Sequence, residues 1–303
     1  MTSAPGPAPG FRCAITSREV GEAAEGTAST VRSFLLVECP GPWGVDALRD
    51  SRLPEPVKAR LRELERTAGV RPLLVRRPGR AVAGAMTVFA AYAGTDGSWL
   101  ERTVVPDLAQ LPDATLADIA AGTSPGWAPC SDPVFAVCTH GRHDACCAER
   151  GRPLVAALAG IAPDLTWEVS HIGGDRFAAN VLVLPHGLYY GRLEPRDAHD
   201  LVASHAAGRL DLEHLRGRTA YSFPLQAADI YLRRHLGDDR AAPFRLVSHA
   251  RRGSDTDAVF DVDGRRWRVQ VTSSADVRRQ VTCRATSESA PPVHRLSALT
   301  ELT

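Results

Sequence analysis

Residues 133–175 read PVFAVCTHGRHDACCAERGRPLVAALAGIAPDLTWEVSHIGGD, and the rest of the chain is organised around them. The apolar run Val134 to Val137 has the length and composition of a strand buried on both faces. It delivers Cys138 into a polar loop, which returns with Cys146 and Cys147 and enters a helix over 148–159. A second strand, Thr166 to Ser170, delivers His171, Gly173, Gly174 and Asp175. Past the glycines the pattern predicts a strand over 177–184, a turn at Pro185-His-Gly187 and a strand over Leu188 to Leu193. Pro195 then opens a helix running to about Ala207, since its ring suits the first helical turn. The order is β-α-β-β-β-α. Two neighbouring strand ends each carry ligand-type side chains, and a rigid sheet can bring such pairs round one inorganic centre.

Upstream, the same order recurs. Val31 to Glu38 reads as a strand that ends at Cys39 in the turn-rich Pro40-Gly-Pro-Trp-Gly44. Val57, Leu61 and Leu64 form one stripe of a helix over Pro56 to Thr67. A strand over Arg71 to Arg76 follows, then a hairpin of Ala85 to Ala91 with Ser98 to Val105, then a short helix after Pro106. Both halves thus follow a thioredoxin-like order. The fold expected is α/β, with tandem thioredoxin-like units (β-α-β-β-β-α) and a small C-terminal α+β extension. The boundaries read as a mobile tail over 1–30, a degenerate unit without ligands over 31–125, the unit with the site over 126–209, and the extension over 210–303. In the extension, Pro224 to Leu236 is helical, Asp263-Gly264 is a hairpin turn, and Trp267, Val269 and Val271 alternate inward. Arg278 to Ala285 is the next pairing candidate, and the polar tail after Ser287 reads as loose.

The chain has 303 residues, 44% hydrophobic and 23% charged, with a formal net charge of +1. That balance carries no signal for nucleic acid or an acidic partner. The Arg-rich strands near Arg265, Arg268, Arg278 and Arg279 alternate as a solvated sheet face does. Met1 to Gly10 lacks the basic and apolar regions of a signal peptide, and no apolar run is long enough to span a membrane. The cysteines number seven, an odd count and too few for a disulfide scaffold. Four of them fall between Cys130 and Cys147, which favours metal or redox chemistry in a reducing compartment, so the expected location is cytoplasmic. Cys13, Cys39, Cys130 and Cys283 read as small buried hydrophobes.

The stretches CTHGRHDACCAERG, SHIGGDRFAAN and HGLYYGRLEPRDAHDLVASH resemble the sucrase/ferredoxin-like family over most of the chain. Residues 133–209 more distantly resemble thioredoxin-like [2Fe–2S] ferredoxins. The resemblance implies a [2Fe–2S] cluster with Cys138, Cys147, His171 and Asp175 as ligands, and with Gly173 and Gly174 letting the backbone pass close to it. Some family members carry two histidines as H-x-G-G-H; here Asp175 stands at the second. A carboxylate is a hard oxygen ligand and favours the oxidised state. Cys147 fits the family's loop spacing better than Cys146. If Asp175 does not bind, Cys146, His140 or His143 must complete the set. His186 and His205 read as surface or supporting groups. The implied function is one-electron transfer or redox sensing, more an electron carrier than a stand-alone enzyme. Its donor and acceptor proteins are unknown, and neither nucleic acid nor membrane is involved. Two alternatives stay open: a thiol–disulfide oxidoreductase using Cys138 with Cys146 or Cys147, and a structural zinc site. Glycoside hydrolysis is not indicated, because no carboxylate pair stands out across a cleft.

Overall fold

In the computed structural model, which describes residues 10–79 and 84–302, the chain opens with helix α1 (Cys13–Glu19). The first half follows with β1 (Ser33–Glu38), the short α2 (Ala47–Asp50), α3 (Glu55–Ala68), β2 (Val70–Arg76), β3 (Met86–Ala93), β4 (Ser98–Val105), α4 (Asp113–Ala120) and the two-residue β5 (Ala128–Pro129). The second half runs β6 (Val134–Cys138), α5 (Ala145–Ile161), β7 (Thr166–Val169), β8 (Val181–Leu184), β9 (Leu188–Tyr190), α6 (Ala198–Ala206) and β10 (Leu215–Arg218). Last come α7 (Phe223–Leu236) and β11 (Arg245–Arg252), β12 (Asp255–Val262), β13 (Arg265–Ala275) and β14 (Pro292–Leu302).

The first ten strands make one mixed sheet, ordered β10-β9-β8-β6-β7-β2-β1-β3-β4-β5. Within it each half repeats one arrangement. A central strand, β1 or β6, pairs in parallel with the strand after its helix and antiparallel with the third, which pairs antiparallel with the fourth. Both central strands are buried at every residue, as apolar runs covered on both faces must be. The halves meet where β2 and β7 pair antiparallel by their C-terminal ends, Val75 opposite Val169 and Arg76 opposite Glu168. An Arg76–Glu168 ion pair of 2.6 Å reinforces that seam.

The sheet curls. Phe89 of β3 meets Trp167 of β7 edge to face at 5.2 Å, although two strands separate them in the sheet. Ser98, at the start of β4, hydrogen-bonds His186 in the β8–β9 turn at 2.9 Å. One face of both halves therefore shares a single core, which includes Phe34, Leu36, Val75, Ala136, Trp167 and Leu182. The outer faces pack on α3 and α4 in the first half and on α5 and α6 in the second.

Several expectations are corrected. Of the mobile tail expected over 1–30, residues 1–9 lie outside the described residues. From Cys13 the chain forms α1, with Cys13, Ala14 and Ser17 buried, and Arg12–Glu149 and Arg176–Glu22 pairs of 2.7 Å fix it to the second half. The boundaries at 125/126 and 209/210 both cut through the large sheet, because β5 pairs with β4 and β10 with β9. The strand expected over 177–184 begins only at Val181, since residues 175–177 form a 3-10 turn. The extension is a full four-stranded antiparallel sheet ordered β11-β12-β13-β14, packed on α7. Its fourth strand is the stretch read as a loose tail, while 278–285 contains no strand. Long range pairing with β13 decided this, and a polar edge strand carries no local signal for it. The Asp263-Gly264 turn stands as expected, with both residues at positive φ.

Two outcomes follow. Gly151 of α5 lies against β6, where an added Cβ would sit 2.1 Å from the Cys138 carbonyl oxygen. Gly151→Ala should lower the unfolding free energy by about 3 kcal/mol or more, at the upper end for overpacking because the obstacle is backbone, read as a lower urea midpoint. His205 is wedged between the rings of Phe135 and Tyr190, and burial pulls its pKa from 6.5 down to about 4. The native state then binds fewer protons than the unfolded one between those values. Stability should be full above about pH 6.5 and fall as the pH drops towards 4, and His205→Leu should remove that part of the slope in urea titrations at several pH values.

Candidate metal centre

β6 and β7 run parallel with Cys138 opposite Val169, so their C-terminal ends lie side by side. Cys138 is the last residue of β6. Its loop turns into α5, where the Asp144 carboxylate accepts the Cys146 amide at 2.9 Å as an N-cap, and Cys147 follows in the first turn. From β7 the chain passes Ser170 and His171 to two consecutive left-handed residues, Gly173 at φ 95° and Gly174 at φ 79°. Only glycine takes that pair of conformations at little cost, and it folds Asp175 back towards His171.

The four residues meet. The ligand atoms of Cys138, Cys147 and His171 lie within 4.8 Å of one another, and so do those of His143, His171 and Asp175. Cys147 Sγ donates to Asp175 Oδ1 at 3.1 Å, and His171 Nδ1 stands 2.9 Å from the same oxygen. The approach is not along a ring N–H, so this buried nitrogen has no hydrogen-bond partner. The His143 ring stacks on His171 with centroids 3.7 Å apart. Hydrogen bonding from Cys147, with help from His171, holds the Cys138 thiol well below its usual range, and the same contact drives Cys147 well above it. Burial works against a charged His171, yet Asp175 and Cys138 outweigh it and raise the pKa to about 9. Burial likewise works against a charged Asp175, but His171 prevails and its pKa is lowered.

A buried frame holds these groups in place. The Arg216 guanidinium donates to Gly173 O at 3.1 Å, Asn180 Oδ1 at 2.8 Å and Thr27 O at 2.6 Å. Asn180 Nδ2 in turn donates to Gly174 O at 2.8 Å, as a side chain that fixes a loop should. Arg71 reaches His171 O at 3.2 Å. His140 Nδ1 accepts the His171 amide at 3.2 Å, so its proton sits on Nε2 and is donated to Gly44 O at 2.9 Å. The first half thus covers the second half's site with its 39–46 loop, whose Trp43 also packs edge-on against His140.

Of the residues expected at the site, Cys138, Cys147, His171 and Asp175 come together. The carbonyls of Gly173 and Gly174 are held by Arg216 and Asn180, which leaves close backbone approach as what these glycines can offer a bound group. His140 is corrected as an alternative ligand because both ring nitrogens are engaged. Cys146 is corrected too: its Sγ turns away, to 3.4 Å from Cys283 Sγ. With it falls the pairing of Cys138 with Cys146 in disulfide exchange. Cys13 and Cys283, read as small buried hydrophobes, do pack with Ala14 and Ala178, and they also join Cys146 and Asp144 in a second cluster of ligand-type side chains. Arg216 was not singled out from sequence. It lies 36 residues beyond Asn180, in a stretch with no motif.

The donor chemistry suits a soft or borderline metal, with two thiols facing an imidazole and a carboxylate. A profile of sucrase/ferredoxin-like proteins matches residues 24–217. The chain belongs to the sucrase/ferredoxin-like family. The family region takes in both halves of the large sheet and stops short of α7 and the C-terminal sheet. Neither a curated protein nor a solved structure matches the chain. Among the described residues, no helix is long and apolar enough to cross a membrane.

Arg216→Met should strand the carbonyls of Gly173 and Thr27, each costing about 1–3 kcal/mol when left unsatisfied. The expected result is a lower urea midpoint together with reduced metal content on purification. Unchanged values of both would show that this frame does not hold the site.

Proposed function

We propose that Cys138, Cys147, His171 and Asp175 hold a [2Fe–2S] cluster and that the protein transfers single electrons or senses redox state. The observation that supports this most is the pairing of donors: two thiols come from the end of β6 and the start of α5, and an imidazole and a carboxylate from the loop after β7. Two irons need two protein donors each, and imidazole can stand in for thiolate. Bound there, the cluster would accept or release one electron at a time. The chain's own part is to keep Cys138 anionic, to orient His171 and Asp175 through Arg216, Asn180 and Arg71, and to keep water from the sulfurs. Cys138 and Cys147 are each only 1% exposed, whereas the His171 side chain is 25% exposed. Redox donor and acceptor proteins would then approach from the histidine side. Gly173 and Gly174 would let the backbone lie close to the bound group.

We also read the two halves as tandem thioredoxin-like units, on the support of their matching strand order. The first would have no ligands and act as a cover. All seven cysteines are free, which suits a reducing, cytoplasmic setting.

A second reading has its own support. The site is compact, with the Cys147 sulfur at 3.1 Å and the His171 nitrogen at 2.9 Å from one carboxylate oxygen, Asp175 Oδ1. Such closeness also suits a single tetrahedral zinc ion. Protein purified without air decides between the two. The [2Fe–2S] reading expects two iron and two acid-labile sulfide per chain with visible absorption, all lost in Cys147→Ser. Zinc at this centre with no labile sulfide would overturn it. Asp175→His should raise the reduction potential, because a neutral imidazole replaces an anion that favours ferric iron; potentiometry showing no rise would count against Asp175 as a ligand.

A further inference from the structure

We propose a second metal site, for a single zinc ion, made by Cys13, Cys146 and Cys283 with Asp144 as the fourth donor. It stands independently of the [2Fe–2S] reading. The three cysteines come from distant parts of the chain: the first residue of α1, the start of α5 and the β13–β14 connection. Cys146 Sγ lies 3.4 Å from Cys283 Sγ, which lies 3.6 Å from Cys13 Sγ. Cys13 Sγ is 3.7 Å from both carboxylate oxygens of Asp144. All four ligand atoms fall within 4.8 Å of one another. Zinc–sulfur bonds of about 2.3 Å arranged as a tetrahedron give edges of about 3.7 Å, the spacing found here.

Charge makes the same point. Asp144 is 1% exposed, and among the described residues no Arg, Lys or His lies within ion-pair distance of its carboxylate. Among the described residues, its oxygens accept only the amides of Cys146 and Cys283 and the Cys13 thiol. Burial penalises the charged form of this carboxylate, and a bound cation would offset that penalty. Ala14, Ala178 and Phe11 do pack beside these cysteines, but a buried carboxylate and such short sulfur–sulfur spacings are more than apolar packing needs. A disulfide would use two of the sulfurs and leave the third, with the carboxylate, unexplained. Tetrahedral thiolate-rich sites favour zinc over harder ions. Cys13 and Cys283 lie outside residues 24–217 while Asp144 and Cys146 lie inside, so the site would join the family region to both of its flanks. The ion would tie α1 and the C-terminal connection to the helix that carries Cys147.

The test uses the full chain with Cys138→Ser and Cys147→Ser together, which empties the first centre of thiols. This variant should still bind one equivalent of zinc, and cobalt(II) in its place should give the thiolate charge-transfer and tetrahedral visible bands. Adding Cys283→Ser or Cys13→Ser should abolish both signals. Asp144→Asn, which keeps a helix-capping side chain, should weaken zinc binding by at least about tenfold, the lower range for losing even an outer-sphere partner. In the unaltered chain, zinc should protect Cys13, Cys146 and Cys283 together from alkylation, mapped by mass spectrometry; this reading holds whether or not the variants fold. Equal alkylation of Cys283 with and without zinc would overturn the site, as would metal binding that survives Cys283→Ser. A disulfide among the three with no zinc uptake would overturn it as well. Loss of the [2Fe–2S] cluster alone would leave every one of these readouts unmoved.

Discussion

The parallel pairing of β6 with β7, Cys138 opposite Val169, is the constraint on which the site depends. A slip of one residue would turn Cys138 to the other face and carry His171 out of its reach. Helix α5 enforces the register from outside, because Gly151 allows it to lie directly on the Cys138 carbonyl. From inside, Trp167 and Val169 are locked in the core shared by the two halves. The sulfurs therefore sit at the buried junction of β6 and α5, while the imidazole and carboxylate ride on a glycine loop that Arg216 clamps. A centre built this way is preorganised through its supporting groups, since the donors themselves have little conformational freedom left.

The first half contributes through placement. Because β2 and β7 pair only near their C-terminal ends, the loops that leave both halves come together. The 39–46 loop then lies over the site loop, with Gly44 fixing the His140 tautomer and Val45 within 3.4 Å of His143 Nδ1. His140 in turn holds the His171 amide. A half without ligands thus sets the orientation of one. The N-terminal segment acts similarly, since Thr27 binds two nitrogens of Arg216.

Much of this was legible in the residues because it rests on local pattern. Continuous apolar runs gave β1 and β6, the Val57-Leu61-Leu64 stripe gave α3, two strand ends bearing ligand-type side chains marked the candidate site, and the family resemblance implied Cys138, Cys147, His171 and Asp175 as its members. What was not legible depends on distant partners. β14 is a polar strand made by pairing with β13, and α1 is held by Glu149 and Arg176 from the second half. Cys13 and Cys283 are 270 residues apart, each isolated in its own sequence context, and only folding shows that they share a neighbour in Cys146. Adjacent cysteines announced one site; that they point into two different clusters follows from helix geometry, which turns successive side chains about 100° apart.

The central claim is that thiol and imidazole donors from two strand ends bind one redox-active centre. Pulsed electron paramagnetic resonance of the reduced, anaerobically purified protein tests it most directly. The account predicts a spin-half signal with hyperfine coupling to a single imidazole nitrogen, and that coupling should vanish in His171→Cys. A metal-loaded protein that gives no paramagnetic signal, or a signal without nitrogen coupling, would contradict it.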